Sequence, residues 1–170
     1  LPIYLMMRDA QRILHELKNA RKDNNDEIFL KAQEDNYRIW HGMIKAPDNT
    51  PFEGHYYEIG IELPDAYPIE PPKAHFVTPI FHPNIKFKNG EICLDILKTE
   101  WTPAWSIQSM CNAIRILMSQ PVADSPLNTL AGNLLRINDN VGYWSMASMY
   151  ARKFAPVKNT FYEESNQKKR

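Results

Sequence analysis

Cysteine is scarce in this chain: Cys93 and Cys111 are the only two among 170 residues. Two thiols cannot build a disulfide framework, and no signal-peptide pattern is evident, so a reducing compartment, the cytosol, is expected. Metal-ligand spacing is absent as well. No Cys-x-x-Cys occurs and His15, His41, His55, His75 and His82 are scattered, so no metal and no other cofactor is expected. Long apolar runs are missing; residues 1–7 are apolar but too short for a bilayer, which argues against direct membrane insertion. Twenty basic residues balance twenty acidic ones, leaving no global field to draw the protein to nucleic acid or anionic lipid. No repeat or low-complexity segment interrupts the chain. Its length suits one domain, residues 1–170, with one core.

What is present is a clear order of elements. Residues 8–20 have the spacing of an amphipathic helix with Ile13, Leu14 and Leu17 on its apolar side, and a polar stretch over 21–27 follows. Strands are predicted over 28–33, 37–45, 56–63 and 73–77. In the third, Tyr57, Ile59, Ile61 and Leu63 alternate with Glu58, Gly60 and Glu62, the pattern of a sheet with one dry and one wet face. Proline-containing turns at 47–51 and 64–68 make the connections short, so the strands form an antiparallel meander. From 78 to 103 no period survives, and a long ordered loop region in a compact domain is usually functional. Ile107, Met110, Cys111, Ile114, Leu117 and Met118 then trace the buried face of a core helix, on which Cys111 serves as a small apolar residue. Asp139 caps a last helix with Tyr143, Met146, Ala147, Tyr150 and Phe154 at helical spacing. Trp144 lies off that apolar face, either packing on the helix before it or forming a further interface. Pro156 ends the helix, and a mobile polar tail is expected after about 157.

The most informative stretch is 82–97. A rigid His82-Pro83-Asn84 turn leads into a loop containing Gly90, then into Ile92-Cys93-Leu94-Asp95, a cysteine between aliphatic residues with a carboxylate close behind. A thiol held this way at a surface groove, near fixed polar donors, suits carriage of an acyl group as a thioester. Further motifs occur in a fixed order around it: Pro51-Phe52-Glu53-Gly54, Tyr67-Pro68-Ile69-Glu70-Pro71-Pro72 and Trp101-Thr102-Pro103-Ala104-Trp105. Over about residues 8–154 the chain resembles the ubiquitin-conjugating enzymes. That resemblance implies an α+β UBC fold, a four-stranded antiparallel meander flanked by an N-terminal helix and about three C-terminal helices.

The chemistry implied by the resemblance is two acyl transfers. Cys93 takes ubiquitin from the thioester of a ubiquitin-activating enzyme, and an acceptor amine then attacks the new thioester. ATP is consumed by the activating enzyme and not by this chain. A thiol of pKa near ~8.5 is only slightly ionised at neutral pH, yet thiolate is nucleophilic enough to need no adjacent strong base. Asn84 occupies the family position of the oxyanion donor, a role worth roughly 3 to 4 kcal/mol in comparable sites. An Asn after Pro equally suits holding a loop through backbone bonds, and both roles stand open. His82 corresponds to a buried structural residue of the family. The chain departs from many relatives, which carry Asp two positions before the Leu of a D-P-L run. Here Val122-Ala123-Asp124-Ser125-Pro126-Leu127 places Ser125 there and moves the carboxylate to Asp124. Asp124 or Ser125 is therefore the candidate for tuning attack by the acceptor, with Ser125-Pro126 also offering a phosphorylation site that would restore negative charge. The plainer alternative is a turn into the next helix.

Arg12, His15, Ile69, Pro103 and Ala104 match the surface on which relatives bind the activating enzyme and a RING-type ubiquitin ligase. Ile69 stands where some relatives carry Phe, which implies a different ligase preference. Residues 120–127, followed by Gly132-Asn133-Leu134-Leu135-Arg136, look like the fungal peroxisomal members of the family. This implies a cytoplasmic enzyme held peripherally on the cytosolic face of the peroxisomal membrane by a membrane-anchored peroxin, modifying the cycling import receptor to allow its recycling. A cysteine acceptor would tolerate Ser125, because a thiol needs less help with deprotonation than an amine. Two other classes fit the sequence less well. A noncatalytic scaffold of the same fold, binding ubiquitin or a ligase, would lack the cysteine; a cysteine hydrolase would need a His and an orienting partner that the spacing does not identify.

Overall fold

The computed structural model of the chain describes residues 3–22 and 26–161. Helix α1 (Ile3–Lys22) is followed by four strands, β1 (Ile28–Ala32), β2 (Ile39–Lys45), β3 (Tyr56–Glu62) and β4 (Lys73–Phe76), and then by α2 (Ile107–Ser119), α3 (Thr129–Arg136) and α4 (Asn140–Phe154). The strands form one antiparallel sheet in the order β1-β2-β3-β4, the meander expected from the short turns. Its register puts Tyr57 opposite Ile44 and Ile61 opposite Trp40, while Ile59 lies between Gly42 and Phe76. These residues line one face, which is dry, and α2 covers it with Ile107, Met110, Cys111, Ile114, Leu117 and Met118. Gly42 faces Cys111 across this packing: a Cβ there would lie 3.7 Å from the Cys111 Sγ, an ordinary contact.

Several boundaries differ from expectation for identifiable reasons. Helix α1 runs beyond 8–20 at both ends. Leu14 is 62% exposed, whereas Ile13 and Glu16 are buried and Leu17 packs against the core. The inward stripe follows 13, 16, 17 and 20, and Leu14 sits about 100° off it. Strand β2 begins at Ile39 because residues 36–38 form the hairpin connection, in which the Ile39 amide donates to the Asn36 carbonyl. Residues 78–103 contain a short 3-10 turn, Asp95–Leu97, and the isolated bridge Ile85↔Ile92, and otherwise follow no period. Burial gives this region its order: every residue from Ile80 to Ile85 is inside. Asp139 caps α4 as expected, accepting from the Gly142 amide at 2.8 Å, and Ser106 with Ser109 forms a capping box on α2. Phe154 is exposed at the end of α4, its ring tilted against Tyr150 with centroids 5.6 Å apart. Residues 23–25 of the predicted polar stretch, and 162–170 of the predicted tail, lie outside the described residues. Among the described residues no helix is long and apolar enough to cross a membrane.

Candidate active site

The site is assembled on the turn 82–84. The Cys93 amide donates to the Asn84 carbonyl at 2.9 Å, fixing the cysteine beside that turn. The Asn84 side chain faces the other way: its Nδ2 donates to the Val122 carbonyl at 2.9 Å and its Oδ1 accepts from the Val122 amide at 2.8 Å. Pro83 adds a third attachment, its carbonyl accepting from Leu127 at 2.8 Å and Asn128 at 3.0 Å. The turn thus staples the segment carrying Cys93 to the segment carrying Asp124 and Ser125. A cyclic residue suits the centre of such a hub, since its fixed φ holds the acceptors in place.

Cys93 is half-buried and free, between buried Ile92 and half-buried Leu94. Cys111, also free, differs in its burial. It is fully buried, and desolvation, with Glu16 nearby adding to it, pushes its thiol up to about 12. His82 is also fully buried. Its Nδ1 accepts from the Asn84 amide at 3.2 Å, and burial lowers its pKa to about 3, with the Leu117 backbone opposing weakly. A neutral imidazole committed to the turn is no proton shuttle at neutral pH, so the structural role holds.

Asp124 and Ser125 are exposed, and Ser125 adopts φ 48°, a left-handed conformation unusual for a serine. Arg136 near the end of α3 reaches back to the same loop, its Nε donating to the Ala123 carbonyl at 3.2 Å. Neither Arg136 nor the Val122 backbone was apparent from sequence. Arg136 meets the Ala123 carbonyl and Val122 meets the Asn84 side chain through its own amide and carbonyl, so both contacts run through backbone groups, which every residue carries and no motif announces.

The residues expected on the docking surface fall into two kinds. Ile69, Pro103, Ala104 and His15 are exposed, with the His15 ring bonded to Asn19 at 3.0 Å. Arg12 instead spends its guanidinium on the protein itself, donating to the Pro103 carbonyl at 2.9 Å and the Trp105 carbonyl at 2.5 Å. The Trp101 indole donates to the Pro68 carbonyl at 2.9 Å, which ties the loop bearing Ile69 to the loop bearing Pro103.

An α+β domain with a half-buried free thiol on a stapled loop, to which no histidine is hydrogen-bonded among the described residues, fits a class of cysteine acyl carriers more closely than a hydrolase. Comparison with known proteins makes the class specific. The family model for ubiquitin-conjugating enzymes matches residues 12–151. Protein PEROXIN-4 of Arabidopsis thaliana is 45% identical over 155 residues, covering 90% of this chain and 99% of that one. Ubiquitin-conjugating enzyme E2 pex4 of Dictyostelium discoideum is 47% identical over 147 residues, covering 85% and 98%. Among solved structures, H. polymorpha ubiquitin conjugating enzyme Pex4p in complex with the soluble domain of Pex22p matches with a TM-score of 0.81 at 32% identity, covering 86% of this chain and 98% of that one. The chain belongs to the family of ubiquitin-conjugating enzymes, and its fold is theirs.

Proposed function

We propose that Cys93 carries ubiquitin as a thioester and passes it to the peroxisomal import receptor. In the first step the Cys93 thiolate attacks the carbonyl of the ubiquitin thioester on the activating enzyme; a new C–S bond forms and the activating enzyme's thiolate leaves. In the second, an acceptor amine attacks the Cys93 thioester, an amide forms, the Cys93 thiolate leaves and the amine gives up its proton. A thiol acceptor would exchange one thioester for another. The protein's own residues supply the nucleophile and the frame, with no cofactor of its own. The observation that carries this reading is the contrast between the two cysteines: Cys93 is accessible on a segment anchored by Asn84, while Cys111 is sealed in the core.

The peroxisomal assignment is supported by the names of the two peroxin relatives and by the solved complex of a third, H. polymorpha Pex4p, with the soluble domain of Pex22p. Exposed apolar side chains on and between the last two helices fit recruitment by a membrane-anchored partner at the cytosolic face of the peroxisome: Leu130 on α3, Ile137 in the connection, and Val141 and Trp144 on α4. Asp124 and Ser125, at the exposed turn of the stapled loop, are the groups we propose to tune the acceptor.

Incubation with activating enzyme, ATP and ubiquitin should yield an adduct on the wild-type chain that a thiol reductant removes, and none on Cys93→Ala. An adduct that forms equally on Cys93→Ala overturns the reading. Trp144→Ala should lose the anchored partner while still accepting ubiquitin. Asp and Ala at position 125 should discharge preloaded ubiquitin to free lysine at different rates; equal rates remove Ser125 from the acceptor step.

A further inference from the structure

Glu16 is a buried carboxylate on α1 that the chemistry at Cys93 leaves unused. Its Oε1 accepts from Arg12 Nε at 2.9 Å and from the Tyr67 hydroxyl at 2.7 Å, and its Oε2 accepts from the Ile107 amide at 3.3 Å. Three segments distant in sequence meet on this one group: the first helix, the proline-rich loop and the start of α2. The last contact suits an anion, since the opening turn of a helix presents N–H groups without internal partners.

Arg12 carries the connection outward. While its Nε holds Glu16, Nη1 and Nη2 hold the carbonyls of Pro103 and Trp105, and the guanidinium lies 5.8 Å from the centre of the Tyr67 ring. Only a planar fork with five donors can hold a carboxylate and two carbonyls at once; an ammonium is a single point. Ile69 and the Pro103-Ala104 tip are exposed in front of this cluster, and the Trp101–Pro68 hydrogen bond joins their two loops behind.

We infer that Glu16, acting through Arg12, is a positioning residue that sets the shape of the docking face formed by Ile69, Pro103 and Ala104, and with it the affinity for the activating enzyme and the ligase. Arg12 works from behind that face, clamping the loop, and is not primarily a contact on it. The inference rests on the function proposed above. Buried ion pairs add little net stability compared with apolar packing of the same volume, but a forked one fixes geometry that apolar packing leaves loose.

The test is steady-state charging of wild type, Glu16→Gln, Arg12→Lys and the double variant, with the ubiquitin-loaded activating enzyme varied. Each single variant should raise KM about 5-fold or more while kcat stays within about 2-fold. The double variant should show the KM of the single ones and not their product, because both act through one clamp. Glu16 is buried, so a partner cannot touch it and its effect has to pass through the loops. An unchanged KM in Arg12→Lys, or multiplicative effects in the double variant, overturns the inference. Should Glu16→Gln fail to fold by circular dichroism, Tyr67→Phe and Arg12→Lys form the cycle instead. A wild-type chain that accepts no ubiquitin overturns the proposed function; a charged wild type with unmoved variants overturns only the clamp.

Discussion

Asn84 and Val122 exchange two hydrogen bonds, one in each direction, across 38 residues of sequence. One Nδ2 hydrogen and the Oδ1 of Asn84 are therefore committed to the loop, so the loop-holding role left open by the sequence is satisfied by geometry. Asn84→Ala strands the Val122 amide and carbonyl and should cost about 1–3 kcal/mol in urea unfolding. A change within about 0.5 kcal/mol of wild type would mean the tether contributes nothing.

The two thiols should separate cleanly by reactivity. Burial pushes Cys111 up to about 12 and leaves no path for a reagent, whereas Cys93 is accessible. Alkylation of the native protein near pH 8 should add one label by intact mass, at Cys93. Cys93→Ala should take none until denatured, and labelling of its Cys111 under native conditions would contradict the packing.

The regular elements were legible because their burial is periodic: the alternation of Tyr57, Ile59 and Ile61 and the helical stripe from Ile107 to Met118 each repeat at a fixed spacing. The site was legible as motifs but not as a mechanism of assembly. Pro83, Val122, Ala123, Pro103 and Trp105 take part through backbone groups, which the side-chain pattern does not encode. Glu16 was invisible for a related reason. A carboxylate on an amphipathic helix is normally solvated, and the partners that let this one be buried lie 51 and 91 residues away.

His82 should give the protein a distinctive acid sensitivity. Its pKa is about 3 in the fold against 6.5 ordinarily. Between those values the unfolded chain binds a proton that the native state refuses, so stability falls as pH drops from about 6.5 toward about 3 and is unaffected by this group above that window. At about 1.4 kcal/mol per pH unit the full loss is roughly 5 kcal/mol. Urea unfolding from pH 4 to pH 8 should show a shallower slope in His82→Gln than in wild type, even if the variant is weaker at neutral pH. Parallel slopes would place the histidine in contact with solvent.

Ser125 occupies a left-handed conformation, φ 48°, which Asn adopts readily and β-branched residues resist. Ser125→Asn should therefore raise stability by up to about 1 kcal/mol, and Ser125→Val should lower it by a similar or larger amount. The reverse order in thermal melts would show that the turn relaxes out of this conformation.

Gly90 places the loop that delivers Cys93, and two independent constraints bear on it. Its φ is +71°, and a Cβ built there would sit 1.9 Å from the Phe76 carbonyl oxygen. The second constraint is the stronger, because the obstructing atom is backbone: Phe76 lies at the end of β4 and its amide donates to the Gly90 carbonyl at 2.9 Å, while the Gly90 amide donates to Lys86 at 2.8 Å. A side chain at 90 cannot be accommodated by turning a rotamer. The loop must leave the strand, losing the Phe76 hydrogen bond and shifting the Ile85↔Ile92 bridge one residue before the cysteine. Gly90→Ala should cost more than about 3 kcal/mol and slow ubiquitin charging beyond what the remaining folded fraction explains. Near-wild-type stability with normal charging would mean that the loop has room this close approach denies it.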